Sequence, residues 1–199
     1  MPANHTGWIA IFTLVAGLGI ADPVTAKTVN ILVAYHSESG HTRQLADSIR
    51  QGAETVDQVK VSLKSIEDAS PADFLLADAV IMGSPVHNGN ITPKAQAFIN
   101  SWPFSQAPYS NKVGAAFVTA GGISAGEEAA LHSIHRAMLI FGMVVVGGDT
   151  WRSAFGASAI VNEAPFISKL ADNKIDPAFA SKGYQLGIRV ARIASKLAN

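Results

Sequence analysis

Residues 31–49 read ILVAYHSESGHTRQLADSI, and their pattern gives the first indication of the fold. It opens with four apolar residues, Ile31 to Ala34, which have the length and composition of a buried β-strand. A polar turn follows, and then Leu45, Ala46 and Ile49 recur at the spacing of an amphipathic helix. A buried strand, a polar turn and a helix in direct succession are typical of an α/β domain.

Three further apolar runs of strand length follow, at residues 79–82, 115–118 and 143–146. Such runs suit parallel strands that helices cover on both faces. A different strand, residues 59–64, alternates apolar residues with lysine and serine, which is typical of a sheet edge. Because this edge strand is second in the chain, we expect a doubly wound α/β fold. Its parallel sheet would have five strands in the order 2-1-3-4-5, with helices on both faces.

Apolar stripes predict three more helices, one after the third strand, one after the fourth and one at the C-terminus. Their stripes are Ala95, Phe98 and Ile99; Leu131, Ile134, His135, Met138 and Phe141, closed by Gly142; and Leu186, Val190, Ile193 and Leu197. Residues 147–177 have no clear period but carry several aromatic side chains. We therefore expect this segment to be a packed excursion from the domain rather than a linker.

The composition excludes several classes of protein. Lysine and arginine number 15, and aspartate and glutamate also number 15, so the chain lacks the basic excess typical of nucleic-acid binders. We expect no nucleic-acid partner. Hydrophobic residues make up 48% of the chain, which is enough for a core and excludes disorder as its main state. Cysteine is absent, which excludes disulfides, thiolate metal sites and a cysteine nucleophile.

The N-terminus resembles a targeting segment. Residues 8–21 carry no charge, and this run is shorter than the roughly 20 residues that a membrane span needs. It fits the apolar core of a signal peptide, and Val24-Thr25-Ala26 offers small residues at a cleavage site. We expect a signal peptide or membrane anchor over 1–26 and one domain over 27–199. Cleavage would export the domain to the periplasm or the extracellular space. The alternatives are a cytoplasmic protein, or a membrane-anchored one associated through residues 8–21.

Ligands of doubly wound folds bind beyond the carboxyl ends of the strands. The first turn at that edge consists of Ser37, Glu38, Ser39, Gly40, His41 and Thr42. Its hydroxyls surround a helix N-terminus, where backbone N–H groups and the helix dipole favour an anion. The turn has no lysine and is not a nucleotide-triphosphate loop, so a terminal monophosphate fits better. The alternative is an ordinary helix start that Ser39 caps.

Two glycine-rich turns follow the third and fourth strands. The first runs from Gly83 to Ile91, and its backbone is suited to the edge of a flat ring. The second runs from Thr119 to Gly126 and enters a helix. Each turn alone is consistent with an ordinary connection. Three such turns after successive strands predict one shared crevice.

These segments together resemble a known family. Residues 35–42 are similar to the FMN-phosphate loop of the flavodoxin-like superfamily. Gly83-Ser84-Pro85 with Gly89-Asn90 resembles the GTP…GN stretch of the WrbA-type NAD(P)H:quinone oxidoreductases. That family's fourth strand, helix end and YGAS segment resemble residues 112–121, Gly142-Met143 and residues 155–158. The resemblance runs from about Val29 to Leu197 and implies the flavodoxin-like fold.

The resemblance implies an FMN-dependent oxidoreductase that transfers electrons from NAD(P)H to a quinone-like acceptor. It also implies a homo-oligomer, either a tetramer or a dimer, and it identifies no catalytic side chain. The FMN phosphate would lie on residues 37–42. The isoalloxazine ring would lie between two groups of residues: Val86, His87 and Asn88 on one side, and Thr119, Ala120, Gly121, Gly122, Ile123 and Ser124 on the other.

The sequence departs from the family's pattern at several positions. Asn88 and Ser39 stand where many members have an aromatic residue, and Ile140 with Phe141 replaces a histidine pair. The segment that holds the family's tryptophan on the quinone side is shorter here, and Trp102 is a candidate counterpart. These departures leave two other functions open: an electron carrier or FMN-binding module without turnover, and a flavin-free scaffold. Carriers of this kind are typically strongly acidic, whereas this chain is neutral.

Glu128, His132 and His135 lie at helical spacing, and such a pattern can indicate a metal site. His135, however, belongs to the apolar stripe of its helix. A metal site on a helix bundle also needs ligands from further helices. We therefore expect a core or interface histidine and no metal.

Overall fold

The structure is a computed structural model that describes residues 27–104, 109–167 and 174–198. The expected signal peptide or anchor, residues 1–26, lies outside the described residues. Within the described ranges, no helix is long and apolar enough to cross a bilayer.

A parallel sheet forms the middle layer. The strands are β1 (Val29–Tyr35), β2 (Val59–Ser65), β3 (Ala79–His87), β4 (Asn90–Ile91), β5 (Val113–Ala120), β6 (Val144–Val145) and β7 (Ala157–Ile160). The main path is β2-β1-β3-β5-β6, and all its neighbours are parallel. This confirms the predicted order and the α/β class, with the edge strand second in the chain.

The predicted number of strands was wrong, because the described sheet has seven rather than five. β4 pairs antiparallel with the end of β3, and β7 pairs in parallel with the last four residues of β5. β6 pairs only with Val113 and Gly114 at the start of β5. The fifth position of the sheet is therefore filled by two strands, placed end to end along β5. The two strands that the sequence analysis missed, β4 and β7, are too short to show a period. β7 also lies inside residues 147–177, which we expected to be a packed excursion.

Helices cover both faces of the sheet. They are α1 (His41–Ala53), α2 (Pro71–Leu76), α3 (Pro93–Asn100), α4 (Glu127–Ile140) and α5 (Pro177–Ala198), with a 3₁₀ turn at Trp151–Ser153. The four predicted stripes lie on α1, α3, α4 and α5. The sequence analysis missed α2, which is only six residues long.

The core has two layers, one on each face of the sheet. Ile31 and Val33 of β1 pack with α1 and α5, while Leu32 and Ala34 pack with α2, α3 and α4. Because successive side chains of a strand point to opposite faces, a continuous apolar run is buried on both. The parallel strands all begin at the same end of the sheet. The helices that connect them run back toward this end, so the C-termini of the helices lie where the strands begin.

α1 and α5 pack against each other through glycines. A Cβ atom at Gly187 of α5 would overlap the carbonyl oxygen of Ile49, and one at Gly52 of α1 would overlap the carbonyl oxygen of Tyr184. These glycines let the two helix backbones approach closely. The close approach fixes the C-terminal half of α1 against α5.

We expect Gly187→Ala to lower the free energy of unfolding by about 2 kcal/mol, since the added methyl group overpacks the helix contact. Alanine otherwise favours a helix over glycine by about 1 kcal/mol, so the sign of the change identifies the packing effect. Denaturant unfolding measures this. Ser181→Ala, at an exposed position of α5, is the control and should change little. A Gly187→Ala variant as stable as the parent chain would contradict the packing argument.

His135 of α4 makes the fold sensitive to acid. It is buried, its Nε2 has no hydrogen-bond partner among the described residues, and burial lowers its pKa from 6.5 to about 4. Burial is the larger cause of this shift in pKa, and the nearby His132 is the smaller one. Between these pH values the unfolded chain binds a proton that the folded chain does not. Stability that is present above about pH 6.5 is therefore lost as the pH falls toward 4.

We expect His135→Leu to remove on the order of 2 kcal/mol of this acid-induced loss between pH 7 and pH 4. Urea titrations at several pH values measure the slope. His132→Leu, which removes an exposed histidine from the same helix, should change the slope less. Equal slopes for His135→Leu and the parent chain would show that His135 does not resist protonation.

Candidate functional site

Three segments meet at the carboxyl edge of the sheet. β1, β3 and β5 are neighbours, so the residues that follow them lie side by side. These are the first loop (residues 36–40, leading into α1), the hairpin turn (Asn88 and Gly89) and the third loop (residues 121–126). The structure thus brings together the three segments that the sequence analysis selected.

The three segments are joined in pairs by direct contacts. The hydroxyls of Thr42 and Thr119 are 2.8 Å apart and connect the start of α1 with the end of β5. Nε2 of His87 is 3.3 Å from Oε2 of Glu38, which connects β3 with the first loop. Gly126 approaches Gly89 so closely that a Cβ on Gly126 would overlap the Gly89 Cα. This contact connects the third loop with the hairpin turn.

The first loop leaves the start of α1 open. The N-cap is Gly40, with φ +92°, and it makes no side-chain cap hydrogen bond. The alternative in which Ser39 caps the helix was therefore wrong, because the Ser39 hydroxyl instead lies 2.8 Å from Nδ1 of His41. Among the described residues, no acceptor faces the N–H groups of His41 and Thr42. Backbone N–H groups in this setting attract an anion.

Hydrogen bonds fix two hydroxyl side chains around this turn. The Ser37 hydroxyl accepts a hydrogen bond from the N–H of Arg43 at 3.3 Å. Thr42 is buried, and its hydroxyl faces the buried Thr119. Burial lowers the pKa of His41, which favours its uncharged form at neutral pH. The loop therefore offers an anion hydroxyls and amides but no lysine or arginine side chain of its own.

β3 is longer than the sequence analysis expected. It runs through Val86 and His87, so the predicted shaped turn from Gly83 to Ile91 is a strand followed by a two-residue turn. Asn88 and Gly89 both have positive φ, at 49° and 76°, as tight hairpins of this type require. The Asn-Gly pair was the sequence signal for this hairpin. Its base is held by Ser84, whose hydroxyl accepts a hydrogen bond from the N–H of Thr92 at 3.1 Å.

The third loop is partly strand as well. Thr119 and Ala120 belong to β5 and are buried, so their side chains do not line an open crevice. Gly121 and Ile123 are exposed, and Ser124 has a positive φ of 60°. Of the six residues predicted on this side of the ring, the four at positions 121–124 form the accessible part.

A carboxylate that the sequence analysis missed supports the third loop. Oε2 of Glu163 accepts a hydrogen bond from the N–H of Ile123 at 2.6 Å and would lie 2.5 Å from a Cβ on Gly122. The backbone of residues 161–162 also donates to the carbonyl oxygens of Ala120 and Gly121. No sequence signal identified Glu163, because its place depends on β7, which has no readable period.

A group of alternating acidic and histidine side chains lies beside the first loop. Oε1 of Glu38 is 3.5 Å from Nε2 of His36, and Nδ1 of His36 is 3.5 Å from Oε1 of Glu67. His36 is only 3% exposed. Glu38 therefore has His87 on one oxygen and His36 on the other. His36 and Glu67 were not among the predicted site residues.

Two other predicted features do not reach the site. Trp102 is 4% exposed and packs among Phe74, Phe98 and Phe141, near the end where the strands begin. Its assignment as the tryptophan on the quinone side was therefore wrong. Ile140 ends α4 and lies at that same end. In the parts of the chain that the structure describes, no group of three or more His, Cys, Asp or Glu side chains could hold a metal ion.

The site fits a flavin mononucleotide. A helix start with two free N–H groups and nearby hydroxyls suits a monophosphate, while an exposed hairpin turn and an open glycine-rich loop can border a flat ring. The exposed Ile123 adds an apolar contact beside that ring position. No built-in cation is needed at the phosphate, because the helix amides already attract it.

Comparisons of sequence agree with this geometry. The pattern of the NADPH-dependent FMN reductase family matches residues 72–157. The chain is 30% identical over 122 residues to a flavodoxin of Aquifex aeolicus, a match covering 59% of this chain and 64% of the relative, slightly less than two thirds. It is also 30% identical over 141 residues to an NAD(P)H dehydrogenase (quinone) of Acidithiobacillus ferrooxidans, covering 59% of this chain and 70% of the relative.

Comparisons of structure show the same fold. The crystal structure of the WrbA-like flavodoxin from Agrobacterium tumefaciens has a TM-score of 0.68 and 22% identity, over 84% of this chain and 98% of that one. A flavodoxin from the domain Archaea has a TM-score of 0.65 and 22% identity, over 83% of this chain and 99% of that one. The chain therefore has the flavodoxin-like fold, and it belongs to the family of the relative named NAD(P)H dehydrogenase (quinone).

Proposed function

We propose that the protein is an FMN-dependent oxidoreductase that transfers two electrons from NAD(P)H to a quinone-like acceptor. The observation that carries the proposal is the set of three mutually joined segments around the start of α1, where the N–H groups of His41 and Thr42 have no partner among the described residues. The relative named NAD(P)H dehydrogenase (quinone) supports the donor and the acceptor class. We also propose that the active form is a homo-oligomer.

The first loop would hold the FMN phosphate. The N–H groups of His41 and Thr42 are available, and the hydroxyls of Ser37 and Ser39 lie on the same turn. The contact between Thr42 and Thr119 keeps this turn beside the third loop, so phosphate and ring positions stay in register. Glu38 itself lies between two histidines, 3.5 Å from His36 and 3.3 Å from His87.

The ring would lie between the hairpin turn and the third loop. Val86, His87 and Asn88 border one side, and residues 121–124 border the other. FMN, when bound, supplies the chemistry of hydride and electron transfer between two substrates. The residues around it orient the ring through backbone groups. Because the third loop is exposed, a donor and then an acceptor can reach the same open face in turn.

An electron carrier is the second candidate function. The relative named flavodoxin favours it, and the same three segments would serve a carrier. The zero net charge favours the enzyme, since a carrier that docks on partner proteins benefits from a strong charge of one sign. The two functions differ in turnover, which is measurable.

We expect the full chain to bind FMN with one-to-one stoichiometry, measured by quenching of flavin fluorescence. Ser39→Asp should weaken the binding at least about tenfold, because a second carboxylate would lie beside the phosphate. Thr55→Asp is the matched control, since it adds the same charge at the opposite end of α1 and should leave the affinity unchanged. Absence of binding at high micromolar FMN would rule out both the oxidoreductase and the carrier function, and it would favour the flavin-free scaffold.

We expect the FMN-loaded protein to oxidise NADPH or NADH continuously when a water-soluble benzoquinone is present. Absorbance at the nicotinamide band measures the rate, and free FMN at the same concentration is the control. A carrier would bind FMN but show a negligible rate without a reductase. FMN binding without turnover with either NADPH or NADH would therefore contradict the enzyme function and support the carrier function.

A further inference from the structure

Large apolar side chains are concentrated at the end of the domain where the strands begin. Of the eleven exposed large apolar residues in the described ranges, seven lie at this end. We name them the basal face: Leu75, Leu76, Phe104, Leu139, Ile140, Val144 and Leu197. Leu76 and Ile140 are 74% and 71% exposed. Soluble proteins rarely expose so many large apolar residues together unless the surface binds something.

Contacts show that several elements contribute to one surface. Nζ of Lys112 donates hydrogen bonds to the carbonyl oxygens of Leu75 and Ala77 at the end of α2. The N–H of Val144 donates to the carbonyl oxygen of Lys112 at 2.9 Å. Lys112 and Leu197 also line the same surface hollow. The residues around Lys112 therefore connect the ends of α2 and α5 with the start of β6.

Lysines accompany these apolar side chains. Lys27, Lys60, Lys112 and Lys196 lie at this end, near the beginnings of strands or the ends of helices. Lysine can place its aliphatic stem on an apolar surface and extend its amine to lipid headgroups. Lys27 is also paired with Asp78, with Nζ and Oδ1 3.0 Å apart. Lys60 and Lys196 remain to reach lipid headgroups, whereas Glu54 and Asp57 add acidic charge at the same end, so the apolar side chains carry the affinity of the basal face for a membrane.

The chain enters the domain at the same end. The pairing of Lys27 with Asp78, just before β3, fixes its position there. The uncharged residues 8–21 are separated from Lys27 by residues 22–26 only, and all of these lie outside the described residues. Five residues reach at most roughly 18 Å. If residues 8–21 were held in a membrane, this short connection would therefore keep the basal face close to that membrane.

We propose that the basal face rests on a lipid bilayer, with residues 8–21 inserted in the same membrane as an apolar anchor. The short connection favours lipid over a second copy of the chain, because Lys27, to which residues 22–26 join the apolar segment, lies at this end of the domain. In this orientation, the first loop, hairpin turn and third loop face away from the membrane. Strands of seven to nine residues separate the two ends by about 25 Å. The proposal does not rest on FMN binding.

The absence of cysteine makes a direct test simple. Ile140→Cys and Leu76→Cys would each give the full chain a single thiol for an environment-sensitive fluorophore. On vesicles of phosphatidylcholine and phosphatidylglycerol, we expect the fluorescence of both to rise about twofold or more, as the probe leaves water. Ile167→Cys is the matched control, because Ile167 is an exposed isoleucine that follows the carboxyl end of β7. Its fluorescence should stay unchanged.

Vesicle flotation gives the second readout. Leu76→Glu combined with Ile140→Glu should lower the partitioning of the full chain onto vesicles roughly tenfold, since both side chains would lose their lipid contact. Ile167→Glu adds a carboxylate elsewhere and should not lower it. An unchanged thermal unfolding midpoint in both variants would show that the loss is not caused by misfolding.

Several outcomes would overturn the proposal. A chain that floats with vesicles while the probe at Ile140 stays in water would be held by its N-terminus alone. A probe that responds without vesicles, together with a doubled mass in light scattering, would identify a second copy as the occupant. A chain recovered with Lys27 as its first residue that does not bind vesicles would show that the domain is released by cleavage.

Discussion

The contact between the hydroxyls of Thr42 and Thr119, 2.8 Å apart, holds the site together. Both side chains are buried, so neither hydroxyl can exchange this partner for water without cost. The contact exists because β1 and β5 flank β3, an arrangement that follows from the edge strand being second in the chain. The contact of Glu38 with His87 and the close approach of Gly126 to Gly89 then join the hairpin to both other segments. The position of the three segments beside one another therefore follows from the order of the strands.

Much of the fold was predictable because its strands are buried on both faces and its helices on one. Such burial leaves long apolar runs and regular stripes in the sequence, as in residues 31–34 and on α1. α2, β4 and β7 have six residues or fewer, and a segment that short shows no reliable period. The Asn88-Gly89 pair did mark the β3–β4 hairpin, but it was interpreted only as part of a longer turn.

The site was predictable only in part, for a different reason. Its three segments follow strands, so their common position follows from the topology. Glu67 and Glu163 reach the site from elsewhere, and their contacts with His36 and Ile123 depend on tertiary placement. Trp102 was assigned to the wrong end of the domain, because its position in the sequence does not show where its side chain packs in the tertiary structure. Here it belongs to an aromatic cluster in the core.

The division of the fifth sheet position between β6 and β7 has a consequence for how this fold can change. Residues 146–156 leave the sheet after β6 and return to it at β7, and both strands are paired with the same β5. Since the two ends of this excursion are anchored independently, extra residues there would lengthen a loop without shifting any strand register. Each doubling of a flexible loop costs only about 0.6 kcal/mol. This interruption is therefore a natural insertion point, where the family scaffold could acquire a new segment while its ligand-facing edge stays intact.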